Sequence, residues 1–203
     1  MRYKRPFDLL IVAAAHVWLA PVWLLLWALI PLAVKLGDGG PVFYRQTRVG
    51  KDGRTFSVLK FRTMVPDAER EAGAVWASAA DPRLTRVGRV LRKTALDELP
   101  QVLSIWMGDM SLVGPRPERA ELHERFVKEF PGFEQRLLVP PGLTGLAQVH
   151  GAYDLSPGDK LRYDMEYVRT MSPRVDVELL IRSLLNTLRG RWDERKDGGG
   201  GAA

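Results

Sequence analysis

From Leu9 to Val34 the chain has no Lys, Arg, Asp or Glu, and fourteen of these positions are Leu, Ile or Val. On an insertion scale those fourteen contribute on the order of −6 kcal/mol, so the segment enters lipid. His16 is its one residue able to charge near neutral pH. A single helix of this length would reach ~39 Å, enough to cross a ~30 Å hydrocarbon core with tilt. Pro21, near the middle, removes a backbone donor and leaves two arms of ~18 Å that each reach about halfway. A re-entrant hairpin fits that geometry. Arg2, Lys4 and Arg5 precede the segment, and Lys35, Arg45, Arg48, Lys51 and Arg54 follow it. Positive charge on both sides satisfies the positive-inside tendency only if both ends are cytoplasmic, which favours re-entry over spanning.

Beyond this run the pattern changes. Gly37-Asp38-Gly39-Gly40-Pro41 reads as a loop that closes the membrane segment. Val42 to Gln46 and Thr55 to Met64 read as strands joined through Lys51-Asp52-Gly53, which predicts a hairpin with Lys60 and Arg62 on one face. Pro66 to Arg70 resembles a helix start, and Gly73 to Ala80 a surface connection. Leu99 to Met107 reads as a core helix closed by Gly108, followed by a short strand from Met110 to Val113. Glu121 to Phe130 is an amphipathic helix with His123 on its surface. Pro140 to Val149 is a loop rich in Pro and Gly running into a strand-like segment. Lys160 to Arg169 and Val177 to Leu188 are helical, packed in the core or lying on the bilayer surface. The expected class is α+β. It consists of a re-entrant hairpin over 1–36, then a compact, mostly helical cytosolic domain over 37–192 with a small β-hairpin and interfacial amphipathic helices. A disordered tail over 193–203 ends the chain.

Composition narrows the partners. Thirty Lys and Arg against twenty-four Asp and Glu give +6 in 203 residues, which favours phosphates, acidic lipid or nucleic acid. The absence of Cys excludes a disulfide scaffold and thiolate zinc sites. No GxGxxG follows a strand, and no Walker motif or two-His metal pattern is present. The basic run lacks the interleaved aromatics of single-strand binding, so nucleic acid is not the expected partner.

The candidate chemistry lies where that basic run ends. Arg83, Arg86, Arg89 and Arg92 recur every third residue and lead to the adjacent acids Asp97 and Glu98. Acids in the first turn of a helix serve its dipole and caps, and Thr94 with Asp97 has capping-box spacing. Capping does not account for the cationic approach. That approach suits a bound phosphate, with a carboxylate placed to attack it or to hold a metal on it. Arg116, fixed between Pro115 and Pro117, is either a clamp for an anion or a partner for Glu118 or another acid.

Several separated stretches together resemble one family, the bacterial sugar transferases, which are monotopic phosphoglycosyl transferases that start lipid-linked glycan synthesis. They are Lys4-Arg5-Pro6-Phe7-Asp8, Pro41 to Gln46, Lys60 to Met64, Asp81 to Thr85, Leu96 to Gln101, Gly114 to Glu118 and Pro141 to Gly145. The resemblance implies that Asp97 is the nucleophile on the β-phosphorus of a nucleoside diphosphate sugar, usually a UDP-sugar. It implies a covalent aspartyl phosphosugar, then transfer to polyprenol phosphate at the cytoplasmic face of the bacterial inner membrane. It gives Glu98, with Asp97, the service of a Mg²⁺ ion. Lys60, Arg62, Arg89, Arg92, Arg116 and Gln148 become candidate substrate contacts. Asp164 and Asp176 gain weight as binding or supporting residues, and Lys4, Arg5, Asp8 and Pro21 as parts of the hairpin. His150-Gly151-Ala152 departs from the Asn-Gly-Arg common in the family, and Ala20 stands where Ser is frequent before the proline.

Two rivals stay open at this point: direct transfer through a ternary complex with Asp97 acting only on metal, and a non-enzymatic membrane adaptor binding anionic lipid. Neither the sugar nor a homodimer is decided by the sequence.

Overall fold

The computed structural model describes residues 2–66, 68, 81–151 and 155–189. The helix start at Pro66 to Arg70 falls largely outside them. So do the connection up to Ala80, Ala152 and the 193–203 tail.

Two helices open the chain, α1 (Lys4–Trp18) and α2 (Ala20–Asp38), with the break at Leu19 (φ −106°, ψ 19°). The break falls two residues before Pro21, which sits in the first turn of α2, where a missing N–H costs nothing. A straight helix would set the proline ring against the carbonyl four residues back, so the chain turns there. Pro31 lies inside α2, which runs on through it to Asp38. α1 turns one stripe inward: Lys4, Asp8 and Val12 are all buried at a spacing of four. α2 buries Ile30 and Val34 and packs Trp27 edge-on against Phe61.

Strands β1 (Phe43–Val49) and β2 (Thr55–Phe61) pair antiparallel, with Phe43 opposite Phe61 and Val49 opposite Thr55. The turn between them uses Asp52 and Gly53 at positive φ. β1 runs three residues past the predicted end and β2 stops three residues short, which frees Arg62 from the strand. α3 (Arg86–Lys93) starts at Thr85, whose hydroxyl accepts from Gly88 N at 2.8 Å. A Cβ on Gly88 would stand 1.9 Å from the Thr63 carbonyl, so α3 lies directly on the chain leaving β2.

A 3-10 turn (Leu96–Gln101) then leads into α4 (Val102–Met107), which Gly108 ends at φ 95°. The expected helix from Leu99 therefore begins three residues later, because Pro100 belongs to the tighter turn. β3 (Ser111–Val113) pairs parallel with β4 (Gly142–Thr144). α5 (Ala120–Glu129), a 3-10 turn (Phe133–Leu138), α6 (Leu146–His150), α7 (Pro157–Thr170) and α8 (Pro173–Leu188) complete the order. The strand-like reading at the end of the Pro140 to Val149 stretch is corrected to helix. Gly142 and Gly145 lie so close to Gly114 that added Cβ atoms would stand 2.0 and 2.2 Å from its backbone, and the chain turns away after that contact.

The main core gathers Val12, Val58, Val102, Ile105, Val113, Val139, Tyr167 and Leu179; a second joins Ile30 and Val34 of α2 to Phe61 and Leu91. Both helical arms thus share cores with the α+β domain. The residues expected to end the membrane segment hold it there: Lys4 pairs with Asp176 at 2.8 Å and Arg62 with Asp38.

Candidate active site

Asp97 and Glu98 occupy the first turn of the 3-10 segment, after Ala95 at φ 55°. A left-handed backbone at a non-glycine residue costs about 1–2 kcal/mol, so the turn that presents the acids is strained. The expected capping box does not form. Thr94 ends α3 instead, its hydroxyl donating to the carbonyls of Val90 (2.9 Å) and Leu91 (3.2 Å). The α3 hydrogen bonding captures it first.

The two acids have opposite surroundings. Glu98 Oε1 accepts from Lys60 Nζ at 2.7 Å and from Arg116 Nη2, and Oε2 accepts from Arg116 Nη1 at 3.2 Å. Burial alone would raise its pKa, but Arg116 and Lys60 outweigh burial and hold it well below the usual carboxylate range. Asp97 is 7% exposed and makes no side-chain hydrogen bond or ion pair among the described residues. Burial, with the charge of Glu98 adding to it, pushes its pKa up to about 6 against the pull of Lys60, Arg92 and Arg116. Here is a carboxylate held near its ionisation point beside a fully engaged one.

Donors stand ready around it. Arg92 Nη1 and Gln101 Nε2 are buried and unpartnered among the described residues. Arg92 lies close enough for its charge to act on both Asp97 and Asp81. Arg89 is exposed on the same helix, and Arg83, before the helix begins, pairs with Asp81 at 2.6 Å. Of the four evenly spaced arginines, Arg92 is the one whose charge weighs on Asp97 among the main influences. Unsatisfied buried N–H groups are donors that an anionic ligand could occupy.

The remaining sequence candidates divide. Lys60 and Arg116 come to the acid pair, Lys60 from β2 and Arg116 from the loop after β3. Arg116 is therefore both readings at once, a clamp whose acid partner is Glu98 rather than Glu118. Arg62 does not join them: its guanidinium engages Asp38, with Nη1 at 2.5 Å from Oδ2, and donates to the carbonyl of Met64 at 3.0 Å. Gln148 donates to the Leu143 carbonyl at 3.2 Å and keeps Oε1 buried without a partner.

Asp164 and Asp176 are supports. Asp164 holds Arg136 at 2.6 Å, and Arg136 donates to the Arg116 backbone carbonyl at 2.8 Å. Asp176 accepts from Lys4 (2.8 Å), Tyr3 (3.1 Å) and Tyr167 (2.7 Å), while Asp8 accepts from Leu112 N at 3.2 Å. Arg5 donates to the carbonyls of Ile105 and, at 2.6 Å, Trp106, closing the end of α4.

Sequence reasoning missed Arg136, 2% exposed, and Lys160, both of which meet Glu118, at 3.8 and 3.5 Å; Glu118 itself was offered only as a partner for Arg116. No local pattern marks them, since each is an ordinary charge in a mixed segment. His123, expected on the surface, is half-buried with its ring 5.7 Å from Phe133, and burial lowers its pKa.

For Mg²⁺, the donor set is Asp97, which is unpaired, and Glu98 Oε2, which accepts only one hydrogen bond. No cluster of three or more His, Asp or Glu exists among the described residues. One or two carboxylates completed by water and substrate phosphates is an ordinary Mg²⁺ environment, so the residues fit.

A strained acidic turn with Lys60 and Arg116 paired to Glu98 thus lies on an α+β domain that carries an apolar helical N-terminal segment. The chain belongs to the bacterial sugar transferase family, whose pattern matches residues 1–190. It is 39% identical over 190 residues to the UDP-N-acetylgalactosamine-undecaprenyl-phosphate N-acetylgalactosaminephosphotransferase of Aeromonas hydrophila, covering 92% of this chain and 44% of that one. It is 39% identical over 198 residues to the exopolysaccharide production protein ExoY of Sinorhizobium fredii, covering 89% and 83%. The UDP-glucose:undecaprenyl-phosphate glucose-1-phosphate transferase of Escherichia coli is 38% identical over 182 residues, covering 87% and 38%. The chain thus spans less than half the length of two of these relatives and most of the third.

Proposed function

We propose that the protein is a sugar-1-phosphate transferase moving a phosphosugar from a nucleoside diphosphate sugar, a UDP-sugar by its relatives' names, to undecaprenyl phosphate. The observation that carries this reading is Asp97, buried and unpaired beside a Glu98 whose charge is spent on Lys60 and Arg116. In the first step an Asp97 carboxylate oxygen bonds to the β-phosphorus, and the bond from that phosphorus to the nucleoside monophosphate oxygen breaks. In the second, a phosphate oxygen of the lipid bonds to the same phosphorus and Asp97 leaves. Two in-line displacements spare the site from holding a diphosphate and a lipid phosphate together. Arg92 and Gln101 supply donors to the phosphoryl oxygens, and Lys60 and Arg116 keep Glu98 ionised. Mg²⁺, held by Asp97 and Glu98 Oε2, would offset the charge of the diphosphate.

The membrane reading is a re-entrant hairpin over 1–36 under a catalytic domain at the cytoplasmic face of the inner membrane. Its support is that Lys4 at one end and Asp38 at the other are tied into a single domain. Between them Leu10, Val17, Trp18, Leu24 and Leu29 stand exposed, and α2 is long and apolar enough to reach across a bilayer. Ile181, Leu184 and Leu188 are exposed on α8, which suits a helix lying on the lipid surface.

Labelled nucleotide sugar without lipid tests the mechanism: label bound to wild-type protein and absent from Asp97→Asn is the expected result. No bound label and no acceptor-independent monophosphate would return the ternary-complex route. Cysteines introduced at Arg2 and Lys51 should both react from the cytoplasmic side; opposite sides would mean a spanning helix.

A further inference from the structure

α1 presents one stripe to the domain at a spacing of four, Lys4, Asp8, Val12 and then His16. The first two are accounted for by Asp176 and Leu112, and Val12 by the core. His16 remains, the only ionisable group in the apolar segment. Its imidazole stacks on Trp23 with centroids 4.4 Å apart and planes within 9°. It also meets Trp106 of α4 edge-on at 5.9 Å, and its Nδ1 lies 2.7 Å from the Val12 carbonyl. Residues seven apart on a straight helix are separated by ~10.5 Å along the axis, so this stack requires the axis to bend toward its own side. The break at Leu19 lies between the two rings. No side chain caps α2 there, and Ala20 offers no hydroxyl.

We propose that His16 is a positioning residue that pins the bend between α1 and α2 and fixes it to the catalytic domain through Trp106. Among the described residues the imidazole is the one side chain in ring contact with both the other arm and α4, so it sets the angle and depth of the hairpin beneath the site. Resting on the re-entrant reading and the lipid acceptor above, this makes His16 act on delivery of the polyprenol phosphate. Nucleotide-sugar chemistry at Asp97 does not depend on it.

The test has two arms. The chain has no Cys, so Leu10→Cys with Leu29→Cys, both exposed and flanking the break, gives a unique spin-label pair in nanodiscs. The unmodified hairpin should give one narrow distance, His16→Ala a longer or broadened one, and His16→Phe, which keeps the stack, the narrow one. Trp23→Leu, removing the ring from the opposite arm, should reproduce His16→Ala and serves if His16→Ala does not fold. In the second arm, His16→Ala should raise KM for polyprenol phosphate by up to about tenfold, the ceiling one aromatic pair sets. KM for the nucleotide sugar and lipid-free monophosphate release should not change, and His16→Phe should restore the lipid KM. An unchanged distance in both His16→Ala and Trp23→Leu overturns the proposal, as does a loss confined to lipid-free release. If wild-type protein has no transferase activity, the functional reading fails while the distance arm still judges the bend.

Discussion

Asp97 and Asp176 are both buried aspartates on first turns, yet their surroundings differ in kind. Asp176 is wholly enclosed and meets a lysine and two tyrosine hydroxyls; Asp97, almost as buried, meets none. A buried charge with its partners in place joins elements, here α1 to α7 and α8. One left without a partner costs stability, and that cost is tolerated where the oxygen must stay free to react. Asp164, closed off by Arg136, belongs with Asp176.

The strongest way to break this comparison is to neutralise both acids in turn. Asp97→Asn should lower turnover by about four orders of magnitude or more, as loss of a nucleophile does. The same variant should be more stable than wild type at pH 7.5. Its pKa of about 6 in the fold exceeds the model-peptide 3.8, so the native state binds the extra proton between those values. Stability therefore falls as pH rises through about 4 to 6, and the whole penalty, about 2–3 kcal/mol, is present above that window. Thermal unfolding of both proteins at pH 5 and 7.5 checks it: the Asn variant should gain several degrees at the higher pH and about half as many at the lower, which lies in the middle of the window. Asp176→Asn should do the reverse, costing about 3–5 kcal/mol because Lys4 is left buried without its counter-charge. An Asp97→Asn protein less stable than wild type would make Asp97 another support.

The same contrast marks how far the sequence could be read. The acid pair, the β-hairpin and the broken apolar segment were legible in local spacing or a turn signal, whereas spacing left Lys60 and Arg116 open and only the family resemblance made them candidate contacts. Tertiary pairing was not legible. Lys4 and Asp176 are 172 residues apart, and Arg136 reaches both Asp164 and the Arg116 loop. Arg62 shares alternation with Lys60, but its strand ends at Phe61, so the spacing that put both on one face no longer applied. The end of the Pro140 to Val149 stretch read as strand-like because Leu146, Ala147 and Val149 are too few to fix a period; the close packing of Gly145 on Gly114 turns the chain into helix there.

A pH profile sharpens the comparison further. Lipid-free monophosphate release should rise with pH through a midpoint near 6 as Asp97 ionises. Lys60 is the largest influence holding that value down, so Lys60→Met should move the midpoint upward. Arg136→Met, acting one layer further out, should mainly lower stability, since it strands Asp164 and leaves Glu118 to Lys160. A midpoint that ignored Lys60 would mean that another group titrates.

The smallest change in stability is expected where strain rather than charge prepares Asp97. Ala95 holds φ 55°, a conformation costing an L-residue about 1–2 kcal/mol. Ala95→Gly removes that strain but gives the unfolded chain more freedom, worth about 0.4–1 kcal/mol the other way. The two nearly cancel, so the melting temperature should move by only a few degrees. Turnover should move more, because the backbone two residues before Asp97 would no longer be confined to one well, and a misplacement of about 1 Å can cost far more rate than stability. A severalfold loss of monophosphate release with near-constant stability would tie the strained turn to the positioning of Asp97. Unchanged release would confine Ala95 to linking α3 with the turn, and would leave burial and the missing partner as the features that separate Asp97 from Asp176.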